Sequence, residues 1–117
     1  MEITCKQINC NNYNVKYLDI AKNEALKSEL TNKHGCVIVR KNKVIAKGYN
    51  KYNNEFKHCF SIHAEMDVIN KCRKLNLSDC KLFVIRINSL GEFKNSKPCE
   101  CCQKVIRKKK IKRIFHS

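Results

Sequence analysis

Two short stretches carry side chains whose types and spacing suit metal-assisted chemistry: Ser61-Ile62-His63-Ala64-Glu65 and, downstream, Pro98-Cys99-Glu100-Cys101-Cys102. Cys99 and Cys102 as thiolates and His63 as a neutral imidazole make three ligands for a zinc ion, leaving the fourth tetrahedral position open to water. A closed structural site would need a fourth protein ligand. Two thiolates cancel the formal charge of the metal, so it acidifies water less than a site of three neutral histidines does. A base must therefore stand nearby. Glu65 is the expected one, a carboxylate that shuttles a proton without binding the metal. Residues two apart in mid-helix face different ways, so His63 and Glu65 must sit at an exposed first turn to serve one site. Cys99 and Cys102 need the same placement, where the positive end of the helix dipole favours thiolates.

The two halves differ in weight. A histidine two residues before a glutamate arises easily by chance, whereas the only proline of the chain directly precedes the C-x-x-C pair. The bland alternative makes His63 a capping or packing residue and the cysteines small buried hydrophobes. Cys101 lies beside Cys102, and the two-residue gap after the proline selects Cys99 and Cys102 instead. His58 and Cys59 offer two neighbouring ligands for a second metal, without obvious partners.

The elements that must position these residues are legible in the apolar pattern. Val15, Leu18, Ala21, Ala25 and Leu26 form one stripe, which predicts a helix over about 13–30. Cys36 to Arg40 and Val44 to Gly48 flank the polar break Lys41-Asn42-Lys43, so a β-hairpin is expected. A polar loop then runs to about Phe60. Ile62, Met66, Ile69 and Cys72 recur at helical spacing, placing His63 and Glu65 at the start of a helix that buries its opposite face. Lys81 to Ile87 reads as a central strand covered on both faces. Pro98 opens a third helix with Cys102, Val105 and Ile106 on its buried side, and Ile111 to Phe115 is a last short strand. The outcome is an α/β fold with a mixed, partly parallel sheet of four to five strands and helices on both faces.

At 117 residues the chain is expected to form one domain over 13–117 after a polar segment over 1–12. Hydrophobic content of 43% with 30% charged residues is that of a globular chain and not a disordered one. No run reaches the length of a membrane span, and Met1 to Asn14 lacks the apolar core of a signal peptide. Nine cysteines, an odd number, then fit a reducing compartment, so the expected location is cytoplasmic. The net charge of +15 attracts phosphates and polyanions, with the densest clusters at Lys71 to Lys74 and Arg107 to Arg113. Those clusters lack interleaved aromatics, and a solvated lysine-rich face is the plainer reading.

The joint pattern H-x-E with P-C-x-x-C is that of zinc-dependent nucleobase deaminases. From about the first helix to Ser117 the sequence resembles the cytidine and deoxycytidylate deaminase superfamily. The resemblance implies a three-layer fold and matches His63, Cys99 and Cys102 to the zinc ligands and Glu65 to the proton shuttle. It also matches Gly48-Tyr49-Asn50 to a segment whose asparagine contacts substrate, making Asn50 a candidate binding residue. Ser61 to Met66 and Ile111 to Ser117 look closer to the deoxycytidylate branch than to the tRNA adenosine branch. Members of these branches usually continue into a further helix and strand that shape the pocket and the oligomer. Here the last strand is therefore expected at an open sheet edge, guarded by Lys112 and Arg113 or covered by a partner such as a second copy.

The leading expectation is a zinc-dependent hydrolase that replaces the amino group of a cytosine-type nucleotide or nucleoside by a carbonyl. An editing deaminase acting on cytosine or adenine in RNA or single-stranded DNA is the alternative enzyme, with the basic clusters tracking phosphates. A non-catalytic zinc module that binds nucleic acid is the third reading. It requires Cys101 or Cys59 to close the metal site and gives Glu65 no role.

Overall fold

In the computed structural model, residues 4–7, 15–52 and 61–117 are described. Chain order runs β1 (Thr4–Gln7), α1 (Val15–Ala25), β2 (Lys33–Arg40), β3 (Lys43–Tyr49), β4 (Lys51–Tyr52) and β5 (Ser61–Ile62). It continues with α2 (Ala64–Lys71), β6 (Cys80–Ile87), β7 (Phe93–Lys94), α3 (Glu100–Lys108) and β8 (Arg113–His116).

The two β-branched runs pair antiparallel as expected, from Gly35 opposite Tyr49 to Arg40 opposite Lys43. Lys41 and Asn42 close the hairpin, both at positive φ (48° and 64°), the twist that two-residue hairpin turns require. The β6 strand lies at the centre of the sheet order β1-β8-β6-β2-β3. It is antiparallel to β2 and, after the α3 crossover, parallel to β8.

Alternation along the central strands sorts the core into two layers. Val37, Val39, Phe83, Ile85 and Ile87 meet Tyr17, Leu18, Ala21 and Ala25 of α1 on one face. Cys36, Ile38, Leu82 and Val84 meet Ala64, Val68, Ile69 and Cys72 of the α2 segment and Ile106 of α3 on the other. Phe83 anchors the first layer between Tyr17 and Phe115, at ring centroid distances of 5.1 and 4.8 Å. Gly35 makes the α1 contact possible, since a Cβ there would lie 1.8 Å from the Ala21 carbonyl oxygen.

The sheet departs from the sequence reading at its margins. Among the described residues it has six strands, not about four to five. The polar N-terminal segment supplies β1, which pairs in parallel with β8 from Thr4 opposite Arg113 to Gln7 opposite His116. The last strand is therefore internal, covered by the chain itself and not an open edge at Lys112 and Arg113, and among the described residues β1 is the outermost strand on that side. The β7 strand pairs with β6 at Arg86 and Ile87, beyond the residues that β8 reaches. Helix α1 ends at Ala25, and Leu26 is exposed. The final strand starts at Arg113 because Ile111 belongs to the end of α3. Lys110 takes a left-handed conformation (φ 67°) and Ile111 donates its N–H back to the Ile106 carbonyl, a helix-ending motif that also joins two buried isoleucines.

Candidate active site

His63 is the N-cap of α2 and Cys99 the N-cap of α3, so both motifs sit where an incoming segment opens a helix. The Cys99 thiol accepts from the Cys102 N–H at 3.5 Å, and the Cys99 carbonyl takes the Gln103 N–H at 2.9 Å. Ser96 secures the approach to this turn. Its hydroxyl donates to the Val84 carbonyl at 2.8 Å and accepts from the Ser117 N–H at 3.0 Å, pinning the segment before Pro98 to the middle of β6 and to the residue after β8.

Helix α2 is fixed from its other side. The Asp67 carboxylate accepts from the Tyr49 N–H at 3.3 Å and pairs with Lys51 and Lys71 at 3.1 and 3.3 Å. Gly48 leaves the room for this, since a Cβ there would stand 2.3 Å from Asp67 Oδ2.

The two helix starts bring His63, Cys99 and Cys102 together, with their ligand atoms within 4.8 Å of one another. His63 Nδ1 lies 3.3 Å from Cys102 Sγ and 3.8 Å from Cys99 Sγ. Tetrahedral zinc with ordinary Zn–S and Zn–N bonds separates such N and S ligands by about 3.6 Å. The two separations bracket that value, so the donor set fits zinc. Among the described residues the cluster stops at these three, and exposed Cys101 stands outside it. His58 and Cys59, raised as a second metal pair or a closing ligand, lie outside the described residues.

Glu65 is 4% exposed and belongs to the buried side of α2 with Ala64, Val68 and Ile69. The apolar spacing placed the buried face opposite it, and the structure corrects that reading. Burial pushes its carboxyl above the ordinary carboxylate value, against the pull of its own backbone N–H and of His63. His63, Cys99 and Glu65 share the wall of a cavity of about 420 Å³ with Asn50, His34, Ser61, Ser96 and Lys97.

Asn50 lines that cavity, and its carboxamide also braces the chain. Its Oδ1 accepts from the His34 N–H at 2.9 Å and its Nδ2 donates to the Asn32 carbonyl at 2.7 Å. Sequence reasoning passed over His34, Ser96 and Lys97. The polar His34 heading an otherwise apolar strand and the Asn95-Ser96-Lys97 run before Pro98 are the signals that pointed to them.

Residues 11–117 match the cytidine and deoxycytidylate deaminase zinc-binding region. The chain belongs to this family. Among curated proteins, a probable deoxycytidylate deaminase from Caenorhabditis elegans is 28% identical, over 86% of this chain and 54% of that protein. The chain thus spans about half the length of the curated relative it matches. Among solved structures, the dCMP deaminase of cyanophage S-TIM5 in complex with dCMP and dUMP aligns with a TM-score of 0.66 at 20% identity, covering 90% of this chain and 82% of that one. The guanine deaminase of Bacillus subtilis aligns with a TM-score of 0.61 at 23% identity, covering 91% and 64%. These likenesses establish the deaminase-family fold, and zinc is the cofactor of the matched region.

Proposed function

We propose that the chain is a zinc-dependent hydrolytic deaminase of a cytosine-type nucleotide or nucleoside. One observation carries this reading: Glu65 is buried on the wall of the cavity it shares with His63 and Cys99, yet stands outside the ligand set. A merely structural zinc site has no use for a buried carboxyl there.

When bound by His63, Cys99 and Cys102, zinc supplies a Lewis acid that acidifies water. The Glu65 carboxylate takes a proton from the attacking water and passes it to the ring nitrogen beside the amino-bearing carbon, which makes that carbon electrophilic. Glu65 then carries the second proton to the departing amine. A C–O bond forms, the C–N bond breaks, and water is exchanged for ammonia. A carboxyl raised by burial suits a group that must hold a proton between two transfers.

A phosphorylated substrate is supported by Lys97 at the cavity, by the net charge of +15, and by the dCMP and dUMP held by the cyanophage protein. The test is to incubate the zinc-loaded chain with dCMP, CMP, deoxycytidine, cytidine, adenosine, tRNA and single-stranded DNA and to identify products by chromatography. A uracil-type product from a monomeric substrate is expected. Turnover confined to polymer would move the protein to editing, and no turnover on any would overturn the proposal.

A further inference from the structure

Among the described residues that line the cavity, Glu65 is the only acid and Lys97 the only lysine or arginine. Lys97 is held at that wall by its neighbours. Ser96 and Pro98 on either side are buried, and the proline ring confines the residue before it to extended backbone. Ser96 donates its N–H to the Ser117 carbonyl at 2.9 Å and its hydroxyl to the Val84 carbonyl, while the Lys97 N–H gives to Asn95 Oδ1 at 2.9 Å. With its backbone fixed in this way, the exposed Lys97 side chain leaves the wall two residues before Cys99.

The sheet adds positive charge beside it. His34, Arg86 and Lys94 stand in register across β2, β6 and β7, on the face that also bears Cys36 and Val84. Ser117 ties this row to the Lys97 segment, its hydroxyl accepting from the Arg86 N–H at 3.0 Å and donating to the Lys94 carbonyl at 2.6 Å. Burial lowers the His34 pKa and the charge of Arg86 pushes the same way, against the Asn32 carbonyl, so that charge is felt at a cavity residue. Like charges directly opposite in a sheet, as at Arg86 and Lys94, destabilise it. Among the described residues no carboxylate pairs with Arg86, Lys94 or Lys97, whereas Glu24, Asp67 and Asp79 each pair with a cation elsewhere. Positive charge gathered at one wall without a protein counterion favours an anionic ligand.

We propose that Lys97 binds the 5′-phosphate of the substrate, so that the site takes a nucleoside monophosphate in preference to the nucleoside. Glu65 is buried and Lys97 exposed on the wall of one cavity, so a substrate whose amino-bearing carbon meets Glu65 turns its phosphate, the far end of the molecule, outward to the lysine. A phosphate monoester carries about −1.5 to −2 charge near pH 7, more than a phosphodiester does. The denser basic clusters lie at the far ends of α2 and α3 from the helix starts that form the site, so the cavity does not continue a polymer track. The role rests on the deaminase reading and goes beyond it by naming the residue that sets nucleotide against nucleoside.

Two measurements on the zinc-loaded chain test this. The first compares kcat and KM of the wild type, Lys97→Gln and Lys97→Arg on dCMP and deoxycytidine. Lys97→Gln is expected to shrink the preference for dCMP about 10- to 100-fold, chiefly through KM for dCMP, and to flatten the decline of that kcat/KM with rising salt. Lys97→Arg, which keeps the charge, recovers part of the preference. A wild type that does not prefer dCMP, or a Lys97→Gln variant whose preference stays within twofold of wild type, overturns the proposal. The second measurement is calorimetric binding of dUMP and deoxyuridine, which needs no turnover. Tighter binding of dUMP, with the difference reduced in Lys97→Gln, is expected; equal binding of the two by the wild type overturns the phosphate role. A wild type that deaminates nothing yet shows the expected dUMP binding sinks the deaminase reading and leaves the phosphate contact standing.

Discussion

The His63 imidazole, the paired thiols and the Glu65 carboxyl are brought together by local backbone geometry. Each N-cap residue is itself extended, at ψ 150° for His63 and 166° for Cys99, and the helix begins with the residue after it, which leaves both side chains at helix starts. Two positions on, Glu65 is already on the buried side. Residue types at metal-ligand spacing, joined in one H-x-E and P-C-x-x-C pattern, made the candidate ligand set legible, because metal ligation imposes residue types at fixed intervals. The burial of Glu65 was not legible, since apolar periodicity assigns carboxyls to solvent and a buried acid breaks that rule. His34 gives a residue-scale expectation of its own. Its folded pKa is lowered from 6.5, chiefly by burial, so below that pH the unfolded chain takes up the proton first. Stability therefore declines as pH falls through the window from 6.5 to the lowered folded value, and levels off beneath it. Denaturant titrations across this range should find that slope reduced in His34→Phe.

At the scale of elements, glycine decides how closely the layers approach. An alanine at Gly35 drives a methyl into the Ala21 carbonyl and the Ala25 nitrogen, backbone atoms of α1 that cannot rotate away. The expected loss for Gly35→Ala is about 2–4 kcal/mol, read as a lower denaturation midpoint at unchanged slope. An unchanged midpoint would show that α1 shifts freely on the sheet. The hairpin, α2, β6 and α3 were readable because each carries its own apolar period or turn chemistry. The β1 strand was not, because Thr4-Cys5-Lys6-Gln7 is short and polar and its partner, Arg113 to His116, lies at the far end of the chain. No local signal announces a pairing of that range. The two-residue β7 is hidden for the same reason, being defined by β6 and not by its own residues.

Over the whole molecule, charge is distributed unevenly. No acidic residue follows Glu100, while Lys104, Arg107, Lys108, Lys110, Lys112 and Arg113 are all exposed. Arg73 and Lys74, beyond the end of α2, extend this surface, and Lys109 reaches across from α3 to the Arg73 carbonyl at 3.3 Å. Two basic helix ends thus adjoin, away from the helix starts that form the site. If this face tracks a polymer, single-stranded DNA should bind with an affinity that falls steeply with salt, and Arg107→Glu with Lys108→Glu should flatten that dependence. Binding that is absent at low salt marks the cluster as a solvated face. Composition revealed the charge, but only the packing of α2 beside α3 placed both clusters on one side.

The proposed function gives Glu65 the role of proton carrier beside a candidate three-ligand zinc site. The most direct measurement is zinc content and ammonia release from dCMP for the wild type and Glu65→Gln side by side. The account expects stoichiometric zinc in both and a loss of turnover of about 10²–10⁴-fold in the variant. A variant that keeps zinc and deaminates at the wild-type rate would contradict it.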